Sequence, residues 1–308
     1  MTCTCLARLR ALLLLWGVAL ATSCGPVGEP SEPRQHTRQA QGLEGLNGLS
    51  ANGLSANGLS ANGLSANGLS ANGLSTSEFA SWFQADEALA DSVMRYVVRC
   101  ALAEGTSLSY TVPETGERYT WEGLLGLAPG WASGTRASTS EQQVVSACLA
   151  AHVNKYGMTV PISVLGLGAT GAPVPYTSAE LRAYSQREAC FFGNLFTSEG
   201  LYLGSDRGKL NARESTARAC SLSSNSGGGH TDCPPLVHVG SCAAYCTLDA
   251  SKTYYTACTY NGVTYRPLTT RLREEDVYLC GDGACQVSES CGTSNQYDNC
   301  GLDCGACP

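Results

Sequence analysis

The chain has 308 residues, a formal net charge of -7 and only 15% charged side chains. That acidic, sparsely charged balance disfavours a nucleic-acid partner, which calls for a basic face. Seventeen cysteines argue against a reducing compartment, where thiols stay free.

The first 23 residues read as an export signal. Arg8 and Arg10 form a short basic region, and the apolar run from Ala11 to Leu20 is about ten residues where a membrane span needs about 20. Small residues at Ala21, Thr22 and Ser23 stand directly before Cys24 and look like a bacterial lipobox, which implies acylation of Cys24 and its exposure as the new N-terminus. The alternative is ordinary cleavage that leaves Cys24 unmodified. Removal of the signal takes the formal charge to -7 - 2 = -9, because Arg8 and Arg10 go with it. No second apolar run approaches spanning length, so membrane contact is expected through lipid on Cys24.

Residues 24–76 read as a low-complexity tether. Gly25 to Ala40 is rich in Pro, Glu, Gln and Arg and has no apolar period. Degenerate copies then run from Gly42 to Ser50, and Ala-Asn-Gly-Leu-Ser repeats without error from Ala51 to Ser75. A pentapeptide β-solenoid needs a small residue two places before its central leucine, and here that place is asparagine. Gly and Asn favour coil, and about 50 residues reach about 40 Å at about 5 to 6 Å × √n. The regular leucines leave a second reading, a self-associating or wall-contacting segment.

The folded part is expected over 77–272. Phe79, Trp82, Phe83, Leu89, Val93, Tyr96, Val97 and Cys100 recur at helical spacing, with Ser77 as N-cap, Asp86 as an interruption and an end before Gly105. Ser107 to Val112 and Arg118 to Trp121 predict a hairpin. A Gly- and Trp-rich loop then runs to Gly134. Ser140 with Gln143 predicts a capping box for a second helix, bearing Val144, Val145, Cys148, Leu149 and Val153 and stopping at Gly157. Met158 to Leu165 reads as a strand, Ala179 to Phe196 as a helix turning into a loop, and Ser226 to Gly229 as a surface loop. Tyr254 to Tyr260, Asn261-Gly262 and Val263 to Thr270 form the clearest hairpin, because Asn-Gly suits a type I′ turn.

Beyond the signal and Cys24, eight cysteines fall between Cys100 and Cys258 and six between Cys280 and Cys307, so each module can saturate itself with disulfides. Cys100 and Cys148 both sit on apolar helix faces, which makes them a candidate bridge. Cys148 and His152 are one helical turn apart and admit a thiol–imidazole nucleophile, unless a disulfide removes the thiolate. His230, Cys233, His238, Cys242 and Cys246 form the densest His/Cys group, but their intervals miss the paired spacing of zinc sites. Asp86 with Asp91, or Glu180 with Glu188, are the carboxylate pairs a glycosidase reading would use. Neither a Gly-x-Ser-x-Gly elbow nor a His-Glu-x-x-His helix nor a phosphate loop occurs. Phe79, Trp82 and Phe83 read as core.

Residues 273–308 form a separate cysteine-rich module. Val287 and Leu302 are its only aliphatic side chains larger than alanine between the first and last cysteines, so bridges rather than a core must hold it. Asp282, Glu289 and Asp303 are candidate oxygen ligands for calcium, although Asp-Gly is also ordinary turn chemistry. Cys280-Gly-Asp-Gly-Ala-Cys285 resembles the short Cys-Gly-Asp-Gly-x-Cys modules of secreted bacterial proteins, particularly myxobacterial ones. Met94-Arg-Tyr-Val-Val-Arg-Cys100, Gly126-Leu-Ala-Pro-Gly-Trp131 and Val145-Ser-Ala-Cys-Leu-Ala-Ala-His152 look like cysteine-rich myxobacterial lipoproteins. That resemblance implies a location and no chemistry.

The expected architecture is α+β: a disulfide-stabilised domain with two amphipathic helices and β-hairpins, plus the small C-terminal module. The expected role is a lipid-anchored binding, adhesive or structural protein of the cell envelope, in the outer membrane or at the cell surface. A secreted hydrolase with a site assembled from distant residues is the alternative. No cofactor is required by the sequence, calcium being the one candidate.

Overall fold

The structure, a computed structural model, describes residues 44–45, 67–153, 161–197, 199–206 and 234–273, and tail positions 281, 283, 285, 291–292 and 300–307. A six-stranded sheet runs in the order β1 (Glu44–Gly45), β4 (Ile162–Gly166), β11 (Leu268–Leu272), β5 (Gln186–Asn194), β6 (Gly200–Ser205) and β7 (Leu236–Ser241). Neighbours are antiparallel except β6 and β7. β4 is buried throughout and β5 from Glu188 onward, as expected of strands covered on both faces. Period-two alternation divides the cores. Ala189 and Phe191 join the larger cluster, whereas Cys190 and Phe192 join a smaller one with Cys242, Tyr255, Cys258 and Tyr265.

The last two repeat copies are built into the larger core, upstream of the expected start at Ser77. Helix α1 (Ala71–Leu74) is capped by Ser70, whose hydroxyl accepts from Gly73 N at 3.3 Å. Leu69 and Leu74 are each 1% exposed, and Leu69 N donates to Trp131 O at 2.9 Å. Only glycine fits this approach. Gly68 has φ +81°, and a Cβ there would lie 2.3 Å from the Gly134 backbone.

The long apolar period from Phe79 to Cys100 resolves into two helices, α2 (Ser77–Ala85) and α3 (Glu87–Ala101). The N-cap of α2 is Thr76, one residue before the expected Ser77, because its hydroxyl is the one that reaches Phe79 N at 3.3 Å. Asp86 breaks the run and restarts it, since its carboxylate accepts from Leu89 N at 3.0 Å. The hairpin β2 (Ser107–Thr111) and β3 (Arg118–Glu122) pairs as expected. It packs Tyr110, Tyr119 and Trp121 against Phe83, with ring centroids 4.9 to 6.0 Å apart. Asp91 ties the layer together, accepting from Trp121 Nε1 at 2.7 Å and from Arg95 at 2.9 Å.

After a short helix α4 (Pro129–Ala132) comes α5 (Thr139–Ala151), the helix whose residues lie against the sheet in the larger core. Its capping box is Ser138 with Glu141, two residues before the expected Ser140 and Gln143. Glu141 is chosen because it serves two segments: Oε2 accepts from Ser138 N at 2.9 Å, and Oε1 accepts from Trp131 N at 2.8 Å. His152 is the C-cap, so the helix ends before the expected Gly157, and positions 154–160 lie outside the described residues.

Burial of the Glu141 carboxyl opposes ionisation, but the backbone and hydroxyl donors of Ser138 and the backbone of Trp131 outweigh it and hold the group below its usual value. A depressed carboxylate contributes stability above its unfolded value of about 4.3 and loses it as pH falls through the folded value. In thermal melts, the drop in Tm between about pH 6 and about pH 3 should therefore be smaller for Glu141→Gln than for the parent. Equal drops would mean that this carboxylate does not sense acid.

The stretch 179–196 departs from the expected helix-to-loop. Helix α6 (Ser178–Ala183) is brief, and β5, a central strand, follows. Ala, Cys, Phe and Phe in a row carry no alternation because both faces of the strand are covered. A smaller sheet, ordered β10 (Val263–Tyr265), β9 (Tyr255–Tyr260) and β8 (Cys246–Leu248), packs over it. The Asn-Gly turn is as expected, with φ 50° at Asn261 and 77° at Gly262. The expected second arm divides at Arg266-Pro267: β10 completes the hairpin and β11 enters the main sheet. The expected loop 226–229 lies outside the described residues.

Candidate functional site

The expected helix-face bridge is present: Cys100 on α3 is bonded to Cys148 on α5. His152 is fully buried beside it, with Nδ1 3.7 Å from Cys148 Sγ. The ring Nδ1–H donates to Cys148 O at 2.8 Å, and Tyr96 packs against the imidazole at 5.4 Å between centroids. A bridged sulfur has no thiolate, so the pair in this state offers no nucleophile. Its chemistry is that of a capped helix end.

The second expected His/Cys group is dispersed among bridges. His230 and Cys233 lie outside the described residues, Cys242 is bonded to Cys190, and Cys246 to Cys258. His238 instead meets Ser205, with Nε2 2.8 Å from the hydroxyl across the β6–β7 pair. Sequence spacing gave no sign of this contact, since a parallel pairing between segments 33 residues apart creates it. It has the composition of a Ser-His couple but the wrong polarity. Gly240 N donates to Nδ1 at 3.1 Å, so a neutral ring carries its proton on Nε2 and donates to the serine instead of accepting from it.

The carboxylates also serve the scaffold. Glu180 closes a capping box with Thr177 and accepts from Ser163 Oγ at 2.8 Å. Glu188 accepts from Thr270 Oγ1 at 2.7 Å. Asp206, adjacent to β6, pairs with Arg187 Nε at 2.5 Å and accepts from Tyr255 OH at 2.8 Å. Burial and that hydrogen bond push the Tyr255 hydroxyl well above its usual value. Arg271 donates to the carbonyls of Tyr184 at 2.7 Å and Ser185 at 2.8 Å. The Tyr255–Asp206 bond ties the smaller sheet to the main one, and the other contacts brace the main sheet and the segment leading into β5.

Two features face outward. A cavity of about 250 Å³ lies between α1 and β2, lined by residues that include Leu74, Ser75, Tyr110 and Pro113, whose side chains offer alkyl, hydroxyl and phenol groups. Half-buried Tyr202 on β6, Tyr260 on β9 and Tyr245, just before β8, form an aromatic patch where the two sheets meet, with the Tyr260 centroid 4.7 Å from Tyr202 and 5.3 Å from Tyr245. Such rings offer flat apolar faces with polar tips, a contact surface rather than a reactive centre.

Cys24, Asp282 and Glu289 lie outside the described residues. Asp303 lies in α8 (Gly301–Cys304), and its carboxylate accepts from Gly281 N at 2.5 Å and Gly283 N at 3.0 Å. It thus ties Gly281 and Gly283 to α8. In the tail, Cys285 is bonded to Cys304 and Cys291 to Cys307. Reduction is expected to open this module to proteolysis before the larger domain, since each bridge is worth about 2 to 4 kcal/mol and no core replaces it. A tail whose cleavage pattern ignores reductant would contradict this.

These features define a cysteine-rich, disulfide-bonded α+β protein. Residues 48–75 match the GLTT repeat, a bacterial repeat family, in six copies. No curated protein and no solved structure matches the chain. Among the described residues no helix is long and apolar enough to cross a membrane.

Proposed function

We propose that this is a lipid-anchored extracytoplasmic protein that holds an α+β domain at the cell envelope, on the outer membrane or the cell surface, with a binding, adhesive or structural role. The run Ala21-Thr22-Ser23-Cys24 behind a short apolar segment carries the reading. The resemblance to myxobacterial lipoproteins supports it, and so does the bonding of every described cysteine, a state that persists where thiols are oxidised. The membrane is the first partner, through lipid on Cys24. The patch of Tyr202, Tyr245 and Tyr260 is the surface we assign to a further envelope partner, and nucleic acid is disfavoured by charge.

Labelled-palmitate incorporation tests the anchor. The parent should label and stay with membranes through high salt, because acyl chains contribute about 0.8 kcal/mol per buried CH2 and are not screened. A Cys24→Ala variant that still labels and still sediments with membrane would remove the proposal. Calcium in the tail belongs to the same reading, with Asp282, Glu289 and Asp303 as ligands. Chelator should then hasten tail proteolysis, and indifference to chelator would remove calcium while leaving the bridges in place.

A further inference from the structure

Two disulfides meet between the main sheet and the smaller one. Cys190, within β5, is bonded to Cys242 at the start of helix α7 (Cys242–Tyr245), and Cys246 just beyond that helix is bonded to Cys258, directly opposite it on β9. The Sγ atoms of Cys190 and Cys246 belong to different bridges, yet they lie 3.6 Å apart. Those of Cys190, Cys246 and Cys258 all fall within 4.8 Å of one another. Cys190, Cys242 and Cys258 are buried, and Cys246 is half-exposed. Reagent from solvent therefore meets this cluster at Cys246.

Exchange proceeds by attack of a thiolate on one sulfur of a disulfide, and it runs faster when the departing sulfur is stabilised as an anion. Both requirements are met at the inner bridge. Cys246 Sγ stands in contact with Cys190 Sγ, so a thiolate there is already beside its target. The departing sulfur would be Cys242, at which Cys190 N–H points from 2.9 Å, a donor suited to a thiolate. Gly204 O lies 3.0 Å from the same sulfur, ready to accept from the thiol once it is protonated.

We propose that the two bridges form a relay for dithiol–disulfide exchange, with an external dithiol as substrate. One thiolate of the dithiol attacks Cys246 Sγ; the Cys246–Cys258 bond breaks, and Cys258 leaves as a thiolate that takes a proton. The second thiolate of the reagent closes the reagent's own disulfide and releases Cys246 as a thiolate. Cys246 then attacks Cys190 Sγ, forming a Cys190–Cys246 bond and expelling Cys242, which also takes a proton. The dithiol has lost two electrons and two protons, and the protein has gained them as thiols on Cys242 and Cys258. The last step is an isomerisation with no net change in oxidation state. Its product moves the covalent tie of β5 from one end of α7 to the other.

The mature full chain, titrated with dithiothreitol under anaerobic conditions, quenched in acid, capped with N-ethylmaleimide and peptide-mapped without reduction, tests this directly. As the Cys246–Cys258 peptide pair is lost, a Cys190–Cys246 pair should appear, with label on Cys242 and Cys258. In Cys246→Ser, the Cys190–Cys242 bridge should survive the dithiol concentrations that exchange it in the parent. If that variant does not fold, the map of the parent decides alone. Label on Cys246 and Cys258 with Cys190–Cys242 intact would overturn the relay, as would loss of both bridges in a single step.

Discussion

Replacing both Cys100 and Cys148 by alanine should lower the thermal midpoint by about 8 to 16 °C. The bridge spans 48 residues, and constraining a loop of that length in the unfolded chain is worth about 4 kcal/mol. For a domain of this size each kcal/mol moves the midpoint by about 2 to 4 °C. Both sulfurs are fully buried in the larger core, so truncation also leaves small cavities that add to the loss. The double variant is preferred because a single one leaves an unpaired thiol in the core. An unchanged midpoint would mean that the bridge does not form in solution. Free-thiol titration of the native parent supplies the chemical side: label on Cys148 would restore a thiol 3.7 Å from the His152 ring, and with it the nucleophile that the disulfide removes.

Leu74→Ala should cost about 2 to 5 kcal/mol, the range for removing a buried leucine from a packed core. The side chain is 1% exposed and belongs to the larger cluster, although it sits in a repeat whose composition suggests coil. Gly68→Ala should also destabilise, because it forces a Cβ against the Gly134 backbone at a φ that L-residues rarely adopt. The tether reading expects Leu59→Ala, in an earlier copy of the same pentapeptide, to leave the melting curve unchanged. Chemical denaturation of the two leucine variants checks the contrast. Equal losses would mean that the earlier copies are packed as well, and no loss at Leu74 would mean that the terminal copy is not docked.

Much of the candidate site was legible because it is local. Cys148 and His152 share a face by helical spacing alone, and the suspicion of a Cys100–Cys148 bridge followed from two apolar helix faces. What the couple is chemically depends on Cys100, a residue far away in sequence, and only packing brings it there. The Ser205–His238 contact had no sequence signal, since a parallel strand pairing makes it. Its polarity is set by Gly240, whose N–H occupies the second ring nitrogen. In the tail, the sequence makes Asp303 a candidate calcium ligand, and the structure gives it two backbone donors to hold.

The sequence by itself determined the elements whose signal lies within a few residues: the apolar period of α3 and α5, the β2–β3 hairpin and the Asn261-Gly262 turn. Boundaries shifted by one or two residues because several hydroxyls stand near each helix start, and only the one whose partner is in reach becomes the cap. Thr76 and Ser138 won over Ser77 and Ser140 for that reason. Tertiary structure alone decided that Gln186–Asn194 is a central strand, that Leu69 and Leu74 are core rather than tether, and which cysteines are joined. A strand covered on both faces loses its alternation, a repeated pentapeptide is identical whether docked or free, and a disulfide pairing depends on distances that only the folded chain defines.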